Sequence, residues 1–257
     1  MTEYKMKKVL VYTAIFGKKG LPPFLINPNL ALEDTDFVCF TDNPLLKSDH
    51  YTIVVIEPRF SDPTRDARKI KICGHPKMEG YNTAIWHDYG VVMDCAKLPD
   101  LIPFSSKFLI SVFKHDETCS YAEARKCIEL KKDKIWSLIR QMFFYAFIEK
   151  LPTRQGVYET GIMVLDVNTY FGSELQFNWW ENVKRFSKRD QLSLPCVKRR
   201  FKVEFGLLEG RGNNNPYSTY RGNISDSDSV SNLRISIFQK FGIWLIYKFE
   251  LFINTHK

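Results

Sequence analysis

Short β-branched and aromatic runs alternate along the chain with polar stretches of helical periodicity. Residues 7–16 are apolar from Val9 onward and stop at Gly17, the pattern of a strand covered on both faces. Residues 36–41 predict a second strand ending at the turn signal Asp42-Asn43-Pro44, and residues 51–56 a third ending before Pro58. Residues 83–86 predict a short fourth strand closed by His87-Asp88-Tyr89-Gly90, with Val91–Met93 as its continuation. Helices are predicted at 65–73, over one long stretch at 120–150, at 174–187, and opening at Asp190 to Leu194. In the long stretch, Ile128, Ile135, Leu138, Ile139, Phe143 and Phe147 recur near helical spacing. Residues 157–165 return to strand character. Strands alternating with helices behind a buried leading strand predict an α/β fold. Its sheet is expected to be mixed but mainly parallel, Rossmann-like and flanked by helices.

Composition divides the chain further. The segment from Gly210 to Ser231 is rich in Gly, Asn and Ser, which predicts a domain over 1–210, a loop or linker over 211–232 and a tail over 233–257. From Ile235 to Ile253 the tail is almost wholly apolar, but Lys240, Lys248 and Glu250 argue against a spanning helix. Trp244, Tyr247 and several Phe beside Lys suit an amphipathic helix lying on the inner membrane surface, and the same pattern suits a helix packed on the domain.

Aromatic residues make up 14% of the chain, which argues against disorder, and the formal charge of +8 favours an anionic partner. The basic residues are spread along the chain with no nucleic-acid recognition motif, so nucleic acid is not expected. The six cysteines are scattered without a C-x-x-C pair, which argues against a zinc site. The opening Met1-Thr2-Glu3-Tyr4-Lys5 is polar and no secretory signal follows, so the cysteines are read as reduced core residues of a cytoplasmic protein.

Open α/β sheets bind ligands outside the carboxyl ends of their strands, so the residues just past each strand carry the candidate chemistry. These are Thr13, Ala14 and Gly17, then Thr41 and Asp42, then His87 and Asp88. Such a set suits a nucleotide: backbone and carboxylate acceptors for base and ribose, and a cation for the diphosphate. Two sources of positive charge stand open. Arg68, Lys69 and Lys71 with His75 form a basic cluster, which is equally a solvated helix face. Alternatively Asp88 holds Mn²⁺ or Mg²⁺, although Asp before Gly90 is also a common turn residue. Asp190, flanked by Arg189, has the chemistry of a general base, or of a plain helix cap. Tyr158-Glu159-Thr160-Gly161 opens a strand whose glycine permits close approach of a ligand. His115-Asp116-Glu117 lacks the three- or four-residue spacing of a helical metal site and reads as a loop, and Trp179-Trp180 as packing.

Several of these pieces, taken in order, resemble the glycosyltransferase-like family once called domain of unknown function 616 (DUF616). They are Val11 to Gly17, Asp36 to Asp42, Arg68 to Lys71 with His75-Pro76, and Ile85 to Asp88. Tyr158 to Gly161, Trp179-Trp180-Glu181 and Arg189 to Ser193 follow, so the likeness covers most of residues 8–198. The resemblance implies a GT-A-like fold and a glycosyltransferase, of hexosyl or glycuronosyl type, moving sugar from a nucleotide-diphosphate donor to a hydroxyl. The acceptor would be a saccharide or a lipid-linked one, as in polysaccharide biosynthesis. Thr13, Ala14 and Asp42 would hold the nucleoside; Arg68, Lys69, Lys71 and Gln191 would complete the donor site. Asp190 would face the acceptor, with Glu159 as the alternative. The family's Asp-x-Asp metal motif is incomplete: Tyr89 and Gly90 follow Asp88, leaving Asp94 or a later loop to complete a site for the divalent ion. The rival expectations are a nucleotidyltransferase, a lipid hydrolase, or a non-catalytic membrane-associated relative with the same fold.

Overall fold

The computed structural model describes residues 8–17, 24–220 and 235–255. The chain divides into two compact units, each drawn from three segments. The first comprises 1–113, 159–177 and 204–221, and the second 114–158, 178–203 and 222–257. Their boundaries differ from the expected division after residue 210.

The first unit is built on a seven-stranded, mostly parallel sheet. Its strands in chain order are β1 (Val9–Ile15), β2 (Thr35–Thr41), β3 (Thr52–Val55), β4 (Thr83–His87), β6 (Ile110–Lys114), β7 (Tyr158–Asp166) and β8 (Gly206–Leu207). Every residue of β1 is buried, as its unbroken apolar run requires of a central strand. It pairs in parallel with β2 on one side and β4 on the other, and β2 pairs in parallel with β3. The order is β3-β2-β1-β4-β7-β6-β8, with β7 antiparallel to β4. After β3 the chain therefore turns back past β1 to lay down β4, so the sheet reverses its winding between β1 and β4. That return is made by helix α1 (Pro63–Cys73), which packs against β1. Asp62 caps α1 by accepting from the Thr64 N–H, Pro63 supplies the preset first-turn φ, and Gly74 ends it at φ 68°, a conformation only glycine adopts freely. Helix α2 (Leu98–Ser105) packs against β4, where the Thr83 and Ser105 hydroxyls bond at 2.6 Å.

Val91–Met93 does not continue β4. It is a separate strand, β5, paired antiparallel with β9 (Ser218–Tyr220) in a two-stranded ribbon. The partner strand lies in the segment read as linker: residues 211–220 are folded, and the rest of the 211–232 span lies outside the described residues, as does the chain's opening. The core of this unit gathers Val11, Ile85, Phe113, Ile162 and Val164 from the strands with Leu98 and Leu101 from α2.

The second unit is helical. The single helix expected over 120–150 is two, α3 (Ser120–Glu129) and α4 (Ile135–Phe147). The chain breaks between them where Lys131 takes a left-handed φ of 51° and the Lys132 N–H donates back to the Cys127 carbonyl. Helix α7 (Asp190–Phe201) follows α6 (Glu174–Arg185), and the four-residue α5 (Val167–Tyr170) precedes them in the first unit. The tail forms α8 (Ile237–Thr255), which packs on α3 and α4 through Gln239, Gly242, Ile246, Phe249 and Ile253. A Cβ at Gly242 would stand 2.8 Å from Ile135 Cγ2, so glycine sets how closely α8 approaches α4. Gln239 donates to the Ile128 carbonyl, Arg125 pairs with Glu250, and Thr153 bonds Asn254 at 2.8 Å. No helix among the described residues is long and apolar enough to cross a membrane. All six cysteines are free, five of them buried. Burial pushes the Cys39, Cys127 and Cys196 thiols up to about 12, so they serve as packing rather than as nucleophiles.

Candidate functional site

The crevice between the carboxyl ends of β1 and β4 holds a pocket of about 270 Å³. Ala14 and Phe16 line it from β1, Trp86 and Asp88 to Gly90 from β4, and Tyr220 from β9. The third wall is the start of α1, where Pro63, Thr64, Ala67 and Arg68 face the cavity. This is the position where a doubly wound sheet binds ligands, because diverging connections leave an open cleft there. Arg68 brings a full positive charge to this wall, which suits an anion, while the first N–H groups of α1 are already taken by Asp62.

Asp88 is the electrostatic centre. Its Oδ1 accepts from Arg68 at 2.9 Å, from Lys71 at 3.4 Å and from Trp86 Nε1 at 2.9 Å. The Lys71 side chain is 0% exposed and the Asp88 side chain 30% exposed. Burying an ammonium is costly unless a carboxylate compensates it, and here the carboxylate lies beside it. Lys71 Nζ also lies 5.5 Å from the Trp86 ring centroid. The Asp88 N–H donates to the Gly161 carbonyl at 2.7 Å, so β7 fixes the backbone that carries the carboxylate.

His87, also buried, is held on both nitrogens. Nδ1 donates to the Asp88 carbonyl at 3.2 Å, which leaves Nε2 to accept from the Tyr51 hydroxyl at 2.9 Å. Desolvation lowers its pKa from 6.5 to about 4, so the ring is neutral. The native state then binds fewer protons than the unfolded chain in that interval. Stability is fully present above the unfolded value and is lost as pH falls toward the folded one; the gap corresponds to about 3 kcal/mol. Urea midpoints are expected to fall from neutral pH to about 4, and the slope is expected to flatten in His87→Asn. A variant with the wild-type slope would assign the titration to other groups.

The structure distributes the sequence candidates as follows. Ala14, Arg68 and Asp88 share the pocket, and Lys71 reaches it through Asp88. Thr13 precedes Ala14 but is buried in the sheet. Asp42, at the end of β2, accepts from the Gly17 N–H at 3.1 and 3.0 Å and thereby ties the ends of β1 and β2 together. Lys69 and His75 line a neighbouring cavity of about 380 Å³ with Glu57 and Asp66. Glu159, at the start of β7, accepts from the Gly212 N–H. Asp190 and Gln191 belong to the second unit, both buried. There the Trp179 indole donates to the Asp190 carbonyl at 3.1 Å, and Gln191 donates to Glu123 at 2.6 Å. Trp86, Tyr220 and the first turn of α1 escaped the sequence reading. Asp62-Pro63 was the available signal for the last, since it marks a helix start.

A divalent ion fits this carboxylate poorly. Two protein cations already share Oδ1 of Asp88, and a metal there would stand against both. Asp94 does not line the pocket; its Oδ1 accepts from Asn27 and from the Ala96 N–H. Gly90 stands where the second acid of a metal motif would and offers no ligand side chain. Among the described residues no three His, Cys, Asp or Glu side chains gather to hold a metal. Comparison with models of known protein families gives no match, and no curated protein matches the chain.

Proposed function

We propose that the chain is a glycosyltransferase of GT-A-like architecture, taking a nucleotide-diphospho-sugar at the β1–β4 crevice. One observation carries the reading: the winding of the parallel strands reverses where a cleft is walled by a helix start, Arg68 and Asp88. Arg68 has the planar fork that matches phosphate oxygens. It would neutralise the diphosphate as the bond to the sugar breaks, with no metal in the step. In transfer, the acceptor oxygen bonds the anomeric carbon, the nucleoside diphosphate leaves with the bonding pair, and a carboxylate takes the acceptor's proton. Within the crevice's own unit that carboxylate would be Glu159, which the resemblance offers as the alternative to Asp190; Asp42, beside Gly17, would meet the nucleoside. Polysaccharide or lipid-linked acceptors remain the class the resemblance implies.

A panel of nucleotide-sugars incubated with the purified chain, with and without Mn²⁺, tests this. Release of nucleoside diphosphate in metal-free buffer is the expected result. Release of pyrophosphate would point to a nucleotidyltransferase and end the proposal. The occupied Asp88 carboxylate and Gly90 favour a second reading, a binding module without turnover. It predicts calorimetric binding of the donor with neither product formed.

A further inference from the structure

Helix α8 is apolar on two opposite faces, and only one of them is used within the second unit. Gln239, Gly242, Ile246, Phe249 and Ile253 are buried against α3 and α4. At 3.6 residues per turn the opposite face carries Ile237, Phe241, Trp244, Lys248 and Leu251, flanked by Lys240 and Tyr247. Ile237 is 77% exposed, Trp244 52% and Phe241 48%. Lys248 Nζ lies 5.7 Å from the Trp244 ring centroid. Along the seam of α8 with α4 lies an apolar groove of about 530 Å³, lined by Phe143, Phe144, Leu245 and Phe249 and carrying Arg140 and Arg185. Among the described residues of α8 the one carboxylate is Glu250, which pairs with Arg125.

Charge separates the two units. Residues of the second contain 21 Lys and Arg against 11 Asp and Glu, and those of the first 16 against 18. The unit that carries α8 therefore has a formal charge of +10 and the other unit −2.

We infer that the outer face of α8 is a docking surface for a bilayer carrying anionic phospholipid. The helix would lie in the headgroup plane rather than span it. Trp, Tyr and Phe favour the interfacial layer because their rings pair an apolar body with a polarisable face, and flanking Lys reach lipid phosphates. Net positive charge raises the local concentration of the protein at such a surface. The aliphatic members, Ile237 and Leu251, gain from acyl chains and gain nothing from stacking on bases, which favours lipid over nucleic acid.

The experiment uses the full chain in flotation with vesicles of phosphatidylcholine alone and of phosphatidylcholine mixed with phosphatidylglycerol. Preferential partition to the mixed vesicles is expected, weakening as salt is raised. The double variant Phe241→Ser/Trp244→Ser is expected to lower the partition coefficient by about tenfold or more. Both side chains are about half exposed, so thermal unfolding is expected to change little. Lys240→Glu/Lys248→Glu is expected to abolish the preference for the anionic mixture. Equal partition to both vesicle types, or partition unchanged in the aromatic variant, would overturn the inference. So would a dimer in sedimentation equilibrium that the aromatic variant dissociates, or oligonucleotide binding without vesicle binding.

Discussion

Asp88→Asn is expected to lower the free energy of unfolding by about 2–4 kcal/mol, one of the largest losses available to a single substitution in this fold. The reason is the company the carboxylate keeps. Lys71 is fully buried and Arg68 nearly so, and the amide that replaces the carboxylate cannot neutralise either. The asparagine oxygen can still accept from Trp86, so the indole bond is not the main loss. Because Asp88 itself is 30% exposed, water will offset part of the penalty, which is why the figure sits below that for a fully enclosed pair. Urea titration with the two-state slope held common to both proteins measures the difference. A change below about 1 kcal/mol would mean that the buried ammonium finds sufficient compensation elsewhere.

Arg68→Ala is expected to separate ligand affinity from folding. Asp88 keeps Lys71 and Trp86, so stability should fall much less than in Asp88→Asn. Affinity for a nucleoside diphosphate should drop by about 10- to 100-fold, the equivalent of one charge-assisted hydrogen-bonded contact. Arg68→Lys should recover part of the loss, because it restores the charge and not the fork. Calorimetry at fixed ionic strength gives both constants. Unchanged affinity in Arg68→Ala would remove the β1–β4 crevice as the diphosphate site, while leaving the lipid docking of α8 untouched.

The parallel half of the sheet was legible because its central strands need no particular partner to be recognised. Val9 to Ile15 is apolar at every position, and such a run can only be covered on both faces. Helix α1 was legible over 65–73 from its basic polar face. Elements that depend on distant or atypical partners were hidden. β5 becomes a strand of its own by pairing with β9, which comes from a polar Asn- and Ser-rich segment. Two prolines, one at the start of α2 and Pro103 within it, masked that helix. The break between α3 and α4 falls at Lys131, where neither glycine nor proline signals the left-handed turn.

The site was legible as residue types and not as contacts. Arg68, Lys71 and Asp88 were each singled out, but as two alternatives, a basic cluster or a metal ligand. The structure joins them in one ion-paired group, which the separation of α1 from β4 along the chain conceals. Thr13 shows the converse: a polar residue at the end of a strand looks available to a ligand, and its burial can be seen only once neighbouring strands are in place.

The threefold interleaving of the chain constrains how the protein is made. Synthesis delivers β1 to β6 first, yet the sheet receives β7 only after α3 and α4 have emerged and β8 only after α7, and β5 waits longer still for its ribbon partner β9. Neither unit can close from a continuous stretch of nascent polypeptide, and an open sheet edge waits on the ribosome for strands not yet translated. For the same reason a shortened gene ending near residue 203 would leave β6 without β8 and β5 without β9, so trimming from that side removes edges of the first unit as well as α8 of the second.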